Sequence, residues 1–181
     1  MNMTEQYQQR VSDYILAKDG NRPWAMAKAF LPDAELQMQV DTDNIDFPAR
    51  VIGLDAITDT LVRGFGREND NVFTFCLQDT LVVQQEKLMC DWVVFMTDKD
   101  TGRIRVGWGQ YHWDFADQEG QALAKALLIR IQQMDILSAA HQAELFSVLD
   151  GMPYPWLSKE QLLAAVSDSE YLRNLSDFLA G

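Results

Sequence analysis

Arg103-Ile104-Arg105-Val106-Gly107-Trp108-Gly109-Gln110-Tyr111-His112-Trp113-Asp114-Phe115 alternates with a period of two, and its two faces differ in character. One face carries Gly107, Gly109, Tyr111, Trp113 and Phe115; the other carries Val106, Trp108, Gln110, His112 and Asp114. Successive side chains of a strand point to opposite sides, so this run predicts a long strand with its aromatic face turned inward. The same period extends outward on both sides. Val72–Val83 and Lys87–Thr97 read as two further strands, with Asp98-Lys99-Asp100-Thr101-Gly102 as the turn into Arg103. After the polar loop Asp117-Gln118-Glu119-Gly120, Ala126–Leu137 predicts a fourth strand through its branched core, Leu127-Leu128-Ile129-Arg130-Ile131. Ala122–Leu128 taken alone also suits a helix.

The flanks are helical. Tyr7, Val11, Tyr14 and Ile15 fall on one stripe and predict an amphipathic helix over 4–19, stopped by Asp19-Gly20-Asn21. Asn21 as cap and Pro23 in the first turn open a second helix carrying Trp24, Ala27, Phe30 and Leu31, which ends at Pro32-Asp33. A short strand, Glu35–Val40, and a polar stretch, Asp41–Asp46, lead to a third helix. Its expected N-cap is Asp55, its buried face Leu54, Ile57, Leu61 and Phe65, and its end Gly64 and Gly66. Residues 138–181 return to helix: Ser138–Leu149, then the irregular Gly151-Met152-Pro153-Tyr154-Pro155-Trp156, then two short helices opened by the capping pairs Ser158/Gln161 and Ser167/Glu170.

Composition narrows the classes. The chain has 181 residues, 48% of them apolar, which suits one domain with a substantial core. Lys and Arg number 15 against 27 Asp and Glu, a net charge of −12, so nucleic acid and anionic membranes are poor partners. No apolar run reaches the roughly 18 residues that span a bilayer, and Met1–Gln6 has no signal-peptide character, so a cytoplasmic protein is expected. Two cysteines exclude a disulfide scaffold and a Cys-based zinc site. In either hairpin register Cys76 and Cys90 are offset by four or five residues, at about 3.3 Å each, beyond disulfide reach. Asp41-Thr42-Asp43-Asn44-Ile45-Asp46 lacks the glycine and the terminal glutamate of a calcium loop. No phosphate-binding glycine motif and no G-x-S-x-G elbow is present, and neither a metal nor a cofactor is expected.

Helices, a short strand, another helix and a long meander form an α+β order. Three segments sharpen it: Phe30-Leu31-Pro32-Asp33-Ala34-Glu35 into the first strand, Val51-Ile52-Gly53-Leu54-Asp55-Ala56-Ile57 into the third helix, and Gly109-Gln110-Tyr111 as a Gly-x-Tyr pattern. In these segments and their order, over roughly residues 4–137, the chain resembles the nuclear transport factor 2-like superfamily, in its SnoaL-like and ketosteroid-isomerase-like branch. The resemblance implies a cone, a curved antiparallel sheet wrapped around N-terminal helices with an apolar pocket inside. Residues 1–137 would form that domain, and 138–181 a helical extension packed on it. It also implies an outer sheet face that commonly meets a second subunit, hence a homodimer with Trp108 at the interface and His112 and Asp114 on the same face. Members include isomerases, dehydratases, cyclases and non-enzymatic binding modules, so the fold locates a pocket without fixing its use.

Candidate acid/base groups are Asp79 and Asp91, each set in an apolar row of its strand, where desolvation raises a carboxyl pKa towards a range useful for proton transfer. A three-residue turn at Gln84–Glu86 places them opposite each other; a two-residue turn pairs Asp79 with Trp92, and the sequence leaves both registers open. By the resemblance, the base position of the ketosteroid-isomerase pattern falls at Met38, which cannot accept a proton. Tyr14 and Tyr111 fall at or near its oxyanion-donor positions. Scytalone-dehydratase-like chemistry uses pocket histidines, for which the chain offers only His112 and His141. The expected pocket lining is Trp24, Phe30, Met38, Phe65, Phe75 and Trp113. The expected function is binding of a small, largely apolar molecule, with isomerase, dehydratase or cyclase chemistry through Asp79 or Asp91. The other class is a non-catalytic subunit that uses its sheet face for dimerisation or a partner. Pro153-Tyr154-Pro155-Trp156 would pack on the sheet or close the cone mouth.

Overall fold

The computed structural model describes all residues, 1–181. Helix α1 (Met3–Asp19) starts at a capping box in which Asn2 and Glu5 bond each other's backbone, and it buries Tyr7, Val11, Tyr14, Ile15 and Lys18. A 3₁₀ turn, Pro23–Lys28, leads into β1 (Phe30–Val40) and β2 (Arg50–Ile52). One continuous helical segment follows: α2 (Leu54–Thr58), a π segment (Asp59–Arg63) and α3 (Gly64–Glu68). Then come β3 (Asn69–Leu77), β4 (Val82–Gln84), β5 (Lys87–Asp98), β6 (Ile104–Gln118) and β7 (Gln121–Leu137). The extension contributes α4 (Gln142–Leu149), β8 (Trp156–Leu157), α5 (Lys159–Val166) and α6 (Arg173–Ala180).

The α+β sheet runs in the order β2-β1-β7-β6-β5-β3-β8, with β4 paired to β5. It is antiparallel except at β1–β7 and β3–β8, which pair parallel. The inner face packs on α1 and the 54–68 helix, with Tyr111, Trp113 and Phe115 inward as their alternation requires. The outer face is a second core. Phe75, Leu77, Val93, Phe95, Val106 and Trp108 lie beneath Leu145, Leu149, Leu162, Val166, Leu175 and Leu179 of the extension. Trp108, expected at a subunit interface, stacks instead on Phe178 with ring centroids 5.5 Å apart.

Several expected boundaries move, for local reasons. The second helix stops at Lys28, and Phe30 and Leu31 begin β1. Pro32 disfavours helix at Leu31, and the parallel partner β7 supplies hydrogen bonds to an extended chain. Asn21 adopts φ 50 and caps nothing; the residue before the turn is Arg22. Gly53 at φ 95, not Asp55, precedes α2, and the helix continues through Gly64 and Gly66 to Glu68. Ser158 and Gln161 form the expected capping box, but α6 starts at Arg173 without a side-chain cap, so Ser167/Glu170 is not one.

The most consequential change lies in the 72–83 run. It breaks at a 3₁₀ turn, Gln78–Thr80, where the Thr80 hydroxyl donates to Leu77 O (2.7 Å) and accepts from Asp91 N (2.8 Å). The hairpin turn is the two-residue form, with Gln84 opposite Lys87 and Gln85 at φ 55. The looped-out residues shift β3 relative to β4, so Cys76 faces Trp92. Cys76 and Cys90 therefore lie on one diagonal of the inner face rather than far apart. Both are free and buried, and burial with the Cys90 contact pushes the Cys76 thiol up.

Candidate functional site

The cone interior is mostly solid. Tyr14, Phe30, Trp113 and Phe115 pack ring against ring, and Tyr7 stacks on Phe115 at 4.2 Å. What stays open is a cavity of about 40 Å³ between α1, the 54–68 helix and strands β1, β3 and β5–β7. That is room for one or two waters and less than an organic ligand needs. Its wall includes Tyr14, Met38, Phe65, Trp92, Met96, Tyr111 and Met134, and only Lys18 and Thr74 among its residues are neither apolar nor aromatic. Ile45 and Phe47, from the irregular segment between β1 and β2, complete its lining. Outside them lies a polar cleft of about 450 Å³ that shares Ile45, Phe47 and Phe65 with the cavity.

Lys18 is the unusual group. It continues the Tyr7–Val11–Tyr14 stripe by one more turn, and so lies inside with 6% of its surface exposed. A buried ammonium needs partners. Lys18 Nζ donates to Thr74 Oγ1 at 2.7 Å, pairs with Asp19 Oδ1 at 3.1 Å and sits 4.8 Å from the Phe65 ring centroid. Asp19 is held in turn by Thr74 N (2.7 Å), by the Thr74 hydroxyl (2.9 Å) and by the hydroxyl of Tyr154. The pair is neutral as a unit and fully engaged.

The other polar groups on the wall are neutral donors. Burial pushes the Tyr14 hydroxyl far above its ordinary range, opposed by a hydrogen bond with Tyr111, and burial raises Tyr111 as well. Both therefore stay protonated. Trp92, 4% exposed, stacks on Tyr111 with centroids 5.6 Å apart, and its Nε1–H is shut off from solvent with no acceptor in the protein. Gly109 explains the Gly-x-Tyr pattern physically. A Cβ there would lie 1.8 Å from Arg130 O and 3.0 Å from Trp92 Cζ2, so glycine lets the ring lie over β6 at the bulge.

Of the residues expected at the site, Tyr14, Tyr111, Met38 and Phe65 line this cavity. Phe30 and Trp113 are core beneath it, each about 1% exposed. Phe75 belongs to the outer core under the extension, because the apolar row 73–75–77 faces outward. Trp24 is 70% exposed, with Lys28 over its ring, and touches no part of the cavity. Asp79 sits exposed in the 78–80 turn, where its carboxylate accepts from Lys159 N at the start of α5 (3.0 and 3.3 Å). Asp91 faces outward, opposite Gln110, half-buried at the margin of the extension. Desolvation raises its pKa, helped by the charge of Asp79 and opposed by Gln110, Lys159 and His112. His112 is also on the outer face, and burial and Arg130 hold its pKa down. Both faces of these strands are buried, so an apolar row does not say which side is the pocket wall, and Asp79 and Asp91, expected inside, lie outside. Lys18, Thr74 and Trp92 went unnoticed, although a lysine on the apolar stripe of α1 was a visible signal.

The solved structures with this architecture are named for several activities. One is a putative scytalone dehydratase from Novosphingobium aromaticivorans, with TM-score 0.58 and 18% identity over 75% of this chain and 87% of that one. Another is LinA, with TM-score 0.63 and 12% identity over 75% and 89%. A third is a putative isomerase from Bacillus subtilis, with TM-score 0.52 and 9% identity over 72% and 89%. What this chain shares with them is the fold, a curved α+β sheet wrapped around N-terminal helices. At these identities the likeness speaks for the cone and leaves its contents to the residues. No family model and no curated protein matches the sequence. Within the cone, this chain has no carboxylate and no imidazole among the residues lining the cavity.

Proposed function

We propose that this cone is a binding protein for a compact, largely apolar, uncharged molecule that carries a hydrogen-bond-accepting oxygen, such as a ketone or lactone. The observation behind the reading is the Trp92 indole N–H, buried without an acceptor on a residue that lines the cavity. An orphaned buried donor costs about 1–3 kcal/mol, which a ligand oxygen would offset. Charge argues for a neutral ligand. Lys18 is already neutralised by Asp19, so a carboxylate placed beside them would be a buried anion without a counter-ion. The protein's net charge of −12 also repels anions.

The isomerase, dehydratase or cyclase chemistry expected through Asp79 or Asp91 has no support in the geometry, since both carboxylates lie outside the cone. Tyr14 and Tyr111 line the cavity and bond each other, and the cavity offers no carboxylate or imidazole to remove a proton from a ligand. The reading is therefore one of binding. Entry requires Ile45 and Phe47 to withdraw, which would open the cavity into the cleft beyond them.

Titration followed by NMR tests this, with cyclohexanone, methylcyclohexane and cyclohexanecarboxylate as probes. Cyclohexanone should shift the methyl signals of Met38, Met96 and Met134 and move the Trp92 indole N–H, assigned by its loss in Trp92→Phe. Methylcyclohexane should bind more weakly and leave the indole in place, and the carboxylate should not bind. Silence of the methyl signals with all three probes, in the wild type and in Phe47→Ala, would overturn the reading. So would tightest binding by the carboxylate.

A further inference from the structure

The C-terminal extension reaches the interior site by one route. Pro155 O accepts from Cys76 N at 2.7 Å, Trp156 Nε1 donates to Ser12 Oγ at 3.0 Å, and β8 extends the sheet beside β3. This seats Tyr154 edge-on against Phe73 and Phe75, with centroids 6.0 and 5.8 Å away. From there the Tyr154 hydroxyl donates to Asp19 Oδ2. Asp19 spends its remaining acceptor positions on Thr74 N, the Thr74 hydroxyl and Lys18 Nζ. Thr74 and Lys18 are the two polar residues of the cavity wall that are not aromatic. A continuous chain of hydrogen bonds thus runs from the extension, through α1, to the cavity.

We infer that Tyr154 is a positioning residue for the interior site: it fixes Asp19, and Asp19 fixes Lys18 and Thr74 at the cavity wall, so the hydroxyl bond of Tyr154 and ligand binding are coupled. The inference rests on the proposed binding reading and adds the part of the chain that regulates it. The physical reason is the number of bonds on one carboxylate. Asp19 has about one acceptor position left once Thr74 N, the Thr74 hydroxyl and Lys18 are engaged, and the Tyr154 hydroxyl fills it on Oδ2. Without that bond the carboxylate turns, and the ammonium that follows it leaves its place beside Phe65. Hydrogen-bonded networks of this kind respond as units rather than as separate pairs.

Two variants separate this role from simple packing. Tyr154→Phe keeps the ring against Phe73 and Phe75 and removes only the hydroxyl. Phe73→Leu trims one ring contact of Tyr154, while Phe75 and the β8 pairing still hold the hydroxyl on Asp19. In the ligand-free protein, Tyr154→Phe should move the Lys18 ε-methylene resonances, while Phe73→Leu should leave them in place. Cyclohexanone affinity should fall about fivefold in Tyr154→Phe and stay within about twofold of wild type in Phe73→Leu. Unmoved Lys18 resonances in Tyr154→Phe would overturn the inference whether or not the probe binds. Equal loss of affinity in both variants would overturn it too, by reducing Tyr154 to a packing residue. Failure of the wild type to bind any probe is a different result, and it strikes the binding reading itself.

Discussion

Lys18 and Asp91 are two charged residues in unlike surroundings, and their replacements should behave in opposite ways. Lys18 is fully enclosed and paired, so Lys18→Met leaves Asp19 buried with its counter-ion gone. The loss should be about 3 kcal/mol, the lower end for a broken buried pair because Thr74 and Tyr154 still bond the carboxylate; denaturant unfolding measures it. Asp91 is half-buried, and its folded pKa lies above its ordinary value. A carboxyl of that kind binds its proton more readily in the folded than in the unfolded state, so its ionised form weakens the fold at neutral pH. Asp91→Asn should therefore raise Tm at pH 7, and the gain should shrink as the pH falls through the raised folded pKa towards the ordinary carboxyl value of about 4, because the folded wild type takes up its proton first. A Tm series from pH 4 to 8 checks this, and a constant difference across the series would count against it. At this scale the sequence was legible where residue type and stripe agreed: Tyr14, Tyr111, Met38 and Phe65 all reach the cavity. It misled where a strand was buried on both faces, as at Phe75 and Asp91.

At the scale of elements, the decisive event is a hydroxyl. Thr80 bridges Leu77 O and Asp91 N, and this loops out three residues that read as continuous strand. Alternation alone cannot foresee it, because a bulge leaves the flanking pattern intact while changing which residues face each other. The consequence reaches Cys76 and Cys90, brought onto one diagonal, and Asp79, which is released to bond the first turn of α5. The segment between β1 and β2 is the other element with a distinct role. Its acidic residues face solvent while Ile45 and Phe47 line the cavity, and Asn44 Nδ2 pins it to Met134 O at 2.6 Å. Phe47→Ala should widen the mouth and tighten cyclohexanone binding severalfold, because the ligand no longer has to displace a ring. Unchanged or weaker affinity by calorimetry would argue that ligands do not enter there. Packing of the extension is tested by Leu162→Ala, a fully buried site in the outer core, with an expected loss of about 2–5 kcal/mol.

For the molecule as a whole, the α+β order and the helical return after residue 137 were readable from periodicity, and the cone followed from them by resemblance. The sequence did not disclose how completely the extension would occupy the outer face. Six apolar sheet residues, from Phe75 to Trp108, lie under its helices. The uncovered end carries ion pairs, Asp114 with Lys87 and Lys125 and Arg130 with Asp41, beside a groove of about 240 Å³ lined by Met89, His112 and Leu128. A homodimer through the sheet, if it forms, would have to use that polar end. No helix is long and apolar enough to cross a membrane. The central claim is that the small residual cavity is a binding site whose organising donor is Trp92. A crystal structure of the protein soaked with cyclohexanone tests it most directly. The expected result is ring-shaped density between Met38, Phe65 and Met134, its oxygen within hydrogen-bond distance of Trp92 Nε1, with Ile45 and Phe47 displaced. An unchanged, closed cavity at saturating probe, with density only on the surface, would contradict it.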